Sequence, residues 1–468
     1  MRDLPWALEP LVRGDDAETR TRRRYARWAE AALAATEDTQ DEASGPEPGA
    51  SWGSQARGEV DWAVPPTESI ARVDGRVLEE AAAAGWLVPD TIDERALDVP
   101  ERAVAVKDVI DVAGVWTRNG TPRGLWRLPA MSADCWSALE RAGFVSLGKV
   151  ATHEMAWGVT TPGVPHPLEP SWSAGGSSGG SAALVASGVC GVALGTDTGG
   201  SVRIPAALCG VVGFRPSWGS SSLAGVTPLA PEQDTIGVLG RDVARTVAAL
   251  ERVLGRPLTS GSPDLPPSRR IGTLTSLGPV DPAVRVAYET AVATCADAGM
   301  DVVGVDPEPG RRAAGVSLLT MLISSSRQHA DHVRADPGGF GSEARALLTL
   351  AERVDGDPVR FERERVRERS AALFARERID AVITPTVPCP PPRRDGDVVS
   401  IAGREMPVSA ALTRFCSWAA VVGMPAVTVP VPAAVPAGVQ IIAPPGRDDI
   451  CAELAAWLEG RLAGARRT

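Results

Sequence analysis

The sequence predicts an α/β protein. Short apolar runs that are typical of buried strands alternate along the chain with longer segments whose apolar residues recur at helical spacing. The clearest alternation is a small-residue helix at 182–187, a buried strand at 189–196 and a second helix at 202–209, with Gly188 as the C-cap of the first helix. The chain of 468 residues, 44% of them hydrophobic, could hold one large domain or up to three ordinary ones.

The other elements follow in chain order from the same patterns. Residues 1–35 are expected to be helical, and residues 36–66 to form an acidic loop rich in Gly, Pro and Ser. In the first half we expect helices at 77–86, 134–142 and 243–254, and strands at 103–106, 144–147 and 211–215. In the second half we expect strands at 269–277, 301–305, 380–386, 423–430 and 437–442, and helices at 283–298, over most of 310–378, and at 448–462. Residues 361–365 are predicted to be a solvated helix face.

Composition argues against several classes of protein. The net charge of −10 disfavours non-specific binding of nucleic acid, which needs a basic surface. No apolar run approaches the roughly 18 residues of a membrane span, and the N-terminus lacks the apolar core of a signal peptide. The seven cysteines are scattered, so neither a disulfide framework nor a zinc site is predicted. We therefore expect a cytoplasmic protein without a metal or cofactor.

Two clusters of glycine and serine stand out, at 175–180 and 198–201. Each lies just before a predicted helix, where unpaired backbone N–H groups and the helix dipole favour negative charge. A serine held in such a loop has its hydroxyl beside a site that can stabilise an oxyanion. The two clusters are therefore the first candidates for a functional site.

The stretch 171–213 resembles the signature region of the amidase signature family. The similarity runs through GGSSGGSAA and ALGTDTGGSVRIPAALCGVVG, with the lysine of AVAVKDVIDVAG upstream. The resemblance implies a Ser–cis-Ser–Lys unit in which Ser201 is the nucleophile, Ser177 the bridging serine on a cis peptide, and Lys107 the general base. It also implies a central mixed β-sheet covered by helices on both faces.

The chain is expected to divide after residue 66. Composition predicts an N-terminal helical segment and an acidic Gly/Pro-rich loop over residues 1–66, and the extent of the resemblance implies a single domain over residues 67–468. Within that domain the similarity is strong over a signature core at 103–241 and moderate over closing strands and a helix at 379–462. The region at 255–378 is expected to vary and to shape the acyl pocket.

The basic residues support Lys107 independently of the resemblance. Of the 48 lysines and arginines, only Lys107 and Lys149 are lysine. Arginine stays protonated at any working pH, whereas a buried lysine can act as a base. Lys107 follows the apolar run at 103–106, and burial lowers the pKa of an amine from its usual value of about 10.4. Lys149 is interpreted as structural.

An amide hydrolase also needs a place for the tetrahedral oxyanion. The predicted oxyanion hole consists of the backbone N–H groups of Thr198, Gly199, Gly200 and Ser201. The resemblance further implies that three side chains brace the loops by hydrogen bonding, namely Ser178, Asp197 and Arg203. The neighbouring His153-Glu154 pair lacks the HExxH spacing of a metal site and is interpreted as structural.

Tryptophan is unusually frequent, with 13 residues against two tyrosines. Four tryptophans lie in segments near the two clusters, and we expect them to contribute to substrate binding: Trp157, Trp172, Trp218 and Trp418. If two or more face the cleft, the acyl site is wide and apolar. Aryl or longer aliphatic amides would then be preferred over acetamide or glutamine.

The resemblance implies an amidase that hydrolyses a carboxylic acid amide through a serine acyl-enzyme, releasing the acid and ammonia or an amine. The alternative is the glutaminase component of a tRNA-dependent amidotransferase. Such relatives hold the glutamine amino group with an aspartate at a position that falls near Thr413, but no acidic residue lies between Glu405 and Asp448. A non-catalytic member of the fold, or acyl transfer to another amine, also stays open.

A rival interpretation treats residues 175–179 as the G-x-S-x-G elbow of an α/β-hydrolase, with His329 or His332 as the required histidine. The preceding residues 166–170, HPLEP, cannot form the central strand that such an elbow follows. A phosphate loop is disfavoured because no Gly-Lys-Ser/Thr follows the glycines. The expected partner is a small amide substrate, without nucleic acid or membrane, and a homodimer is left open.

Overall fold

The computed structural model describes residue 19 and residues 75–258, 269–352 and 354–464. The helices of these ranges are α1 (Gly75–Ala83), α2 (Asp134–Arg141), α3 (Gly179–Ala186), α4 (Arg203–Cys209), α5 (Val243–Leu254), α6 (Pro282–Asp297), α7 (Glu308–Ala335), α8 (Ser342–Ala351), α9 (Gly356–Glu377), α10 (Val408–Thr413), α11 (Ser417–Val422) and α12 (Asp448–Gly464). The strands are β1 (Ala103–Lys107), β2 (Val145–Val150), β3 (Val192–Asp197), β4 (Val212–Arg215), β5 (Thr235–Gly240), β6 (Arg270–Leu274), β7 (Asp301–Val305), β8 (Ala381–Pro385), β9 (Val398–Ile401), β10 (Arg404–Pro407), β11 (Ala426–Pro430) and β12 (Gly438–Ile442).

Ten of these strands form one mixed sheet in the order β2-β1-β3-β5-β4-β11-β12-β8-β6-β7. Strand β1 is parallel to β2 and β3, and β6 is parallel to β7 and β8. The strands between them pair antiparallel, and β9 and β10 form a separate antiparallel hairpin. The prediction of an α/β fold with a central mixed sheet is confirmed.

Helices cover both faces of the sheet because successive side chains of a strand point to opposite sides. In β1, Val104 and Val106 join a core cluster with residues of α2, α5, α6 and α12. Ala103 and Ala105 instead join a cluster with residues of α1 and α3. The all-buried strand β1 therefore carries its final residue, Lys107, into the interior of the fold.

Helix α5 has the bounds that the sequence predicts. The side chain of Asp242 accepts a hydrogen bond from the N–H of Arg245 at 2.7 Å and so caps the first turn. Gly255 ends the helix in the left-handed region, with φ of 65°. Local capping signals are sufficient to predict both ends of this helix, because the residues that cap it are its neighbours in sequence.

Helix α3 begins three residues earlier than predicted, at Gly179. The N–H of Gly179 donates to Thr161 Oγ1, and the N–H of Gly180 donates to the carbonyl of Ala151, both at 3.1 Å. These partners come from distant segments and satisfy N–H groups that a helix leaves unpaired in its first turn. No local pattern reveals such partners, so the boundary prediction was wrong.

The prediction that residues 361–365 form a solvated face of α9 was wrong for Arg363. Phe361 is exposed, but Arg363 is buried, and its guanidinium donates to the backbone carbonyls of Glu232 and Val421. Helical spacing gives the relative directions of charged side chains, but it does not show which direction meets another part of the chain.

Lys107 ends β1 and Asp197 ends β3, so the two neighbouring parallel strands bring their carboxyl ends to one edge of the sheet. The helical segment and loop predicted for residues 1–66 lie outside the described residues, apart from residue 19, and the division into one domain from residue 67 stays a prediction. None of the described helices is long and apolar enough to cross a membrane.

Candidate active site

The Lys107 amine lies buried between two hydroxyl groups. Its Nζ is 2.8 Å from Ser177 Oγ and 2.8 Å from Thr196 Oγ1, and the Thr196 carbonyl oxygen is 3.5 Å away. Burial lowers the pKa of Lys107 from 10.5 to about 7, although the charges of Asp197 and Asp234 act in the opposite direction. A substantial share of the amine is therefore neutral near neutral pH and able to accept a proton.

The loop that carries Ser177 is held by several backbone contacts, and the Gly176–Ser177 peptide bond is cis. The Ser177 carbonyl accepts a hydrogen bond from the N–H of His153 at 3.1 Å. Thr161 Oγ1 donates to the Gly175 carbonyl at 2.9 Å. These contacts direct the fully buried Ser177 hydroxyl toward Lys107.

Ser201 lies in the loop between β3 and α4, and it is the more accessible of the two serines. Its residue is 7% exposed, whereas Ser177 is fully buried. The N–H of Ser178 donates to the Ser201 carbonyl at 3.2 Å, which ties the two serine loops together. Among the hydrogen bonds of the described residues, none joins Ser177 Oγ to Ser201 Oγ, so proton transfer between them needs a change in the position or orientation of the hydroxyls. Catalytic hydrogen bonds are often long before substrate binds.

Asp197 organises the predicted oxyanion loop. Its Oδ1 accepts a hydrogen bond from the Gly200 N–H at 2.9 Å, and its Oδ2 accepts from the Val202 N–H at 3.2 Å. Arg203 and Arg215 both pair with this carboxylate at 3.0 Å. Burial alone would raise the pKa of Asp197, but the two guanidinium groups and these hydrogen bonds hold it well below its usual range.

The bond to Asp197 corrects one part of the predicted oxyanion hole. The Gly200 N–H is already paired and is not available to an oxyanion in this arrangement. Within the described ranges, the backbone N–H groups of Thr198, Gly199 and Ser201 donate to no other group. These three amides therefore remain candidates for the oxyanion hole, and Gly200 is held as part of the loop by Asp197.

The other predicted bracing residues also lie in the site. Arg203 Nη1 donates to Gln440 Oε1 on β12 at 2.9 Å, which links the loop to the closing strands. Ser178 Oγ donates to the Thr196 carbonyl at 3.4 Å. Ser178, Asp197 and Arg203 thus join the serine loops to strands of the sheet.

Sequence reasoning missed three residues of this site. Thr196 contacts Lys107, Arg215 pairs with Asp197, and Asp234 Oδ1 accepts a hydrogen bond from Thr198 Oγ1 at 2.6 Å. Thr196 lies inside the quoted signature and could have been found there. Arg215 gives no local signal, because strand pairing brings it to Asp197 from 18 residues away, and Asp234 meets Thr198 from 36 residues away.

Trp157 is buried in a cluster with Leu229, Leu318 and Met321. A Cβ placed on Gly199 would lie 3.5 Å from the methyl group of Met321, so this cluster extends to the oxyanion loop. Of the four tryptophans that we expected in the pocket, Trp157 therefore has a described connection to the site.

The other three tryptophans have different described contacts. Trp172 packs edge-on against His166, and Trp218 is half-exposed with its indole N–H on the Pro231 carbonyl at 2.8 Å. Trp418 is 2% exposed, and its indole N–H donates to Ser370 Oγ at 2.8 Å. Trp418 thus packs between α9 and α11, and a substrate-binding role for these three tryptophans stays a prediction.

Lys149 differs from Lys107 in its partners. Its Nζ pairs with Asp108 Oδ1 at 3.2 Å and contacts Thr117 Oγ1 at 3.1 Å, all in the buried interior. Burial lowers the pKa of Lys149, and the Asp108 carboxylate opposes this effect. The ion pair favours the structural role that the sequence suggests for Lys149.

The histidines favour the lysine arrangement over a histidine-based one. His329 Nε2 contacts the Pro228 carbonyl at 2.7 Å, and burial lowers the pKa of this imidazole. His153 Nε2 is 3.5 Å from a carboxylate oxygen of Glu343 on α8, and the carbonyl of Ser177 is bonded to its backbone. No group of three or more His, Cys, Asp or Glu side chains in the described part of the chain could hold a metal ion.

The chain is similar in sequence to known amidases. The family model described as Amidase matches residues 102–451. The chain is 35% identical to an amidase from Pseudomonas putida over 70% of this chain and 74% of that protein. It is 32% identical to the glutamyl-tRNA(Gln) amidotransferase component from Koribacter versatilis, over 64% of this chain and 73% of that one, and 32% identical to an indoleacetamide hydrolase from Pseudomonas syringae pv. syringae, over 77% and 85%.

A crystal structure of an amidase superposes with a TM-score of 0.71 at 27% identity, and the match covers 93% of this chain and 95% of that chain. The family match extends over both the signature core and the closing strands that complete the sheet. The chain therefore belongs to the Amidase family and is a hydrolase of amide C–N bonds.

Proposed function

We propose that the protein hydrolyses carboxylic acid amides through an acyl-enzyme on Ser201, with Ser177 and Lys107 as the proton relay. The observation that carries this proposal is the environment of the two lysines. Lys149 is paired with a carboxylate, whereas the described contacts of Lys107 are the hydroxyls of Ser177 and Thr196 and a carbonyl. A buried amine without a paired anion is suited to act as a base.

In the proposed mechanism the Ser201 hydroxyl attacks the amide carbonyl carbon. Ser177 takes the Ser201 proton and passes its own to the neutral amine of Lys107. The negative oxygen of the tetrahedral intermediate accepts hydrogen bonds from the amides of Thr198, Gly199 and Ser201. The relay then returns a proton to the leaving nitrogen, ammonia or an amine departs, and water releases the acid from Ser201 by the same route.

The proposed substrates are aryl or longer aliphatic amides. Met321 lies against Gly199 of the oxyanion loop and belongs to a buried apolar cluster that includes Trp157, in keeping with an apolar acyl group. Similarity to an indoleacetamide hydrolase, whose name denotes an amide that bears an aromatic indole ring, supports an apolar acyl group. The net charge of −10 supports a small-molecule substrate rather than nucleic acid, and we propose a cytoplasmic location on the basis of seven buried, reduced cysteines.

The glutaminase role is the second candidate, because a component of glutamyl-tRNA(Gln) amidotransferase is also among the relatives. The absence of an acidic residue between Glu405 and Asp448 disfavours it. A panel of amides including glutamine and acetamide, scored for released ammonia or amine, tests the choice. Labelling of Ser201 by a fluorophosphonate tests the nucleophile, and glutamine as the best substrate would favour the glutaminase.

A further inference from the structure

One face of α7 lies directly on the candidate oxyanion loop. The three atoms nearest to a Cβ placed on Gly199 all belong to this helix: Met321 Cε at 3.5 Å, Met321 Sδ at 3.6 Å and Ser317 Oγ at 3.6 Å. Ser317 and Met321 are four residues apart, so they point to the same side of the helix. The helix thus forms a wall of the site beside the amide that we assign to the oxyanion.

Three buried hydrogen-bonding groups in this wall have no partner among the described residues. They are Ser317 Oγ, Thr320 Oγ1 and Gln233 Oε1, on residues that are 1%, 8% and 0% exposed. Gln233 Nε2 donates to the Ser317 carbonyl at 3.4 Å, which brings the glutamine side chain to the same turn of α7. Burial of such groups without a partner is unfavourable, and Thr320 lies about one helical turn from Ser317.

The serines farther along the same helix behave differently. Ser324, two turns beyond Ser317 on the same face, donates to Glu232 Oε2 at 2.7 Å. Ser325 donates to the Leu322 carbonyl at 3.1 Å. The hydroxyl of Ser317 lies against Gly199 and is unpaired, whereas the hydroxyls of Ser324 and Ser325 are paired. This contrast indicates that a molecule bound at the site supplies the partner of Ser317.

The chemistry of the three groups limits what they can bind. Gln233 Oε1 accepts hydrogen bonds only, whereas each of the two hydroxyls can donate or accept. The carboxylate of the next residue, Asp234, is buried and already accepts hydrogen bonds from Thr198 and two backbone N–H groups, so it disfavours a second anion nearby. An uncharged N–H group with an apolar body, packed against Met321, fits this surface.

We propose that Ser317, Thr320 and Gln233 form a specificity-determining subsite that selects amides whose acyl part carries an uncharged N–H donor close to the scissile carbonyl. The proposal rests on the amidase function above and defines its substrate class more narrowly. The subsite discriminates because an analogue without the N–H leaves buried acceptors unpaired, which a pocket built to bind that group does not tolerate.

The test compares two primary amides, benzoylglycinamide and its N-methyl analogue, which lacks the donor. The wild-type protein is expected to favour the first by about tenfold to a hundredfold in kcat/KM. In Gln233→Leu and Ser317→Ala this ratio falls toward one. Ser324→Ala is the matched control, since it removes a paired hydroxyl from the same face and leaves the ratio as in the wild type.

Thermal unfolding of the free variants gives a second readout that does not depend on turnover. Ser317→Ala removes a hydroxyl that has no described partner, so its Tm is expected to be unchanged or raised. Gln233→Leu removes the unpaired Oε1 together with the 3.4 Å bond from Nε2 to the Ser317 carbonyl, so its Tm is expected to be nearly unchanged. Ser324→Ala loses the 2.7 Å bond to Glu232 and has a lower Tm. A wild-type ratio near one, an unchanged ratio in the two variants, or a clear loss of Tm in both overturns the subsite. Failure of the wild type to hydrolyse any amide or to react with a fluorophosphonate would instead refute the proposed function.

Discussion

Replacing Lys107 with methionine should abolish most of the activity and yet stabilise the folded protein at neutral pH. Methionine keeps the length of the side chain but cannot carry a proton. The loss of the base is expected to lower kcat by roughly two orders of magnitude or more. For the same reason the wild-type rate should rise with pH through about 7, where Lys107 becomes neutral.

The gain in stability follows from the buried amine. Unfolded Lys107 binds a proton below about 10.5 and folded Lys107 only below about 7, so the unfolded state binds more protons between these values and wild-type stability rises with pH. The difference amounts to about 4 kcal/mol at pH 7. Methionine removes this destabilisation, but it also loses the hydrogen bonds to Ser177 and Thr196, which contribute about 1 kcal/mol each. The net expectation is about 2 kcal/mol of added stability at pH 7.

The same arithmetic predicts that the stability difference between Lys107→Met and the wild type changes sign at high pH. At about pH 10 the protonation difference is below about 1 kcal/mol, so the lost hydrogen bonds dominate and Lys107→Met becomes less stable than the wild type. Urea unfolding at both pH values, followed by circular dichroism, measures the two free energies. Lys149→Met is the matched control: it leaves the Asp108 carboxylate buried without its partner and should destabilise the protein at neutral pH by about 3–5 kcal/mol. A Lys107→Met variant that is less stable than the wild type at neutral pH, or that retains wild-type turnover, would refute the reasoning.

Three further predictions concern the serine loops. Ser201→Ala should abolish both turnover and fluorophosphonate labelling, and labelling that persists would exclude Ser201 as the nucleophile. Gly199→Ala should fold with a normal Tm, since its Cβ would meet only ordinary contacts, but its kcat should fall roughly tenfold or more because the methyl group crowds the substrate carbonyl. Gly200→Ala should instead lose at least about 2 kcal/mol of stability. Gly200 has φ of 124°, and its Cβ would lie 2.5 Å from a Cys416 atom. Asp234→Asn should move the midpoint of the pH–rate profile to lower pH, since the Asp234 charge raises the pKa of Lys107. Thr198→Val should lower kcat at an unchanged midpoint. Equal midpoints in the wild type and both variants would contradict the electrostatic role of Asp234.

The sequence by itself determined the elements whose signals are local. Alternating burial and helical spacing predicted most strands and helices, and helix α5 has its predicted ends because Asp242 and Gly255 close it. The scarcity of lysine singled out Lys107, and the two glycine-serine clusters marked the loops that hold Ser177 and Ser201. The strands, helix ends and loops can be predicted from the sequence because the residues that determine each of them lie close together in the chain.

Only the tertiary structure decided which groups pair across the fold. It paired Lys149 with a carboxylate and placed Lys107 between two hydroxyls. In the folded protein the Gly200 N–H donates to Asp197, and Arg363 is buried beneath other segments. The physical reason is that desolvation and hydrogen-bond partnership depend on neighbours brought together by strand pairing and helix packing, and a one-dimensional pattern contains spacing but not those neighbours.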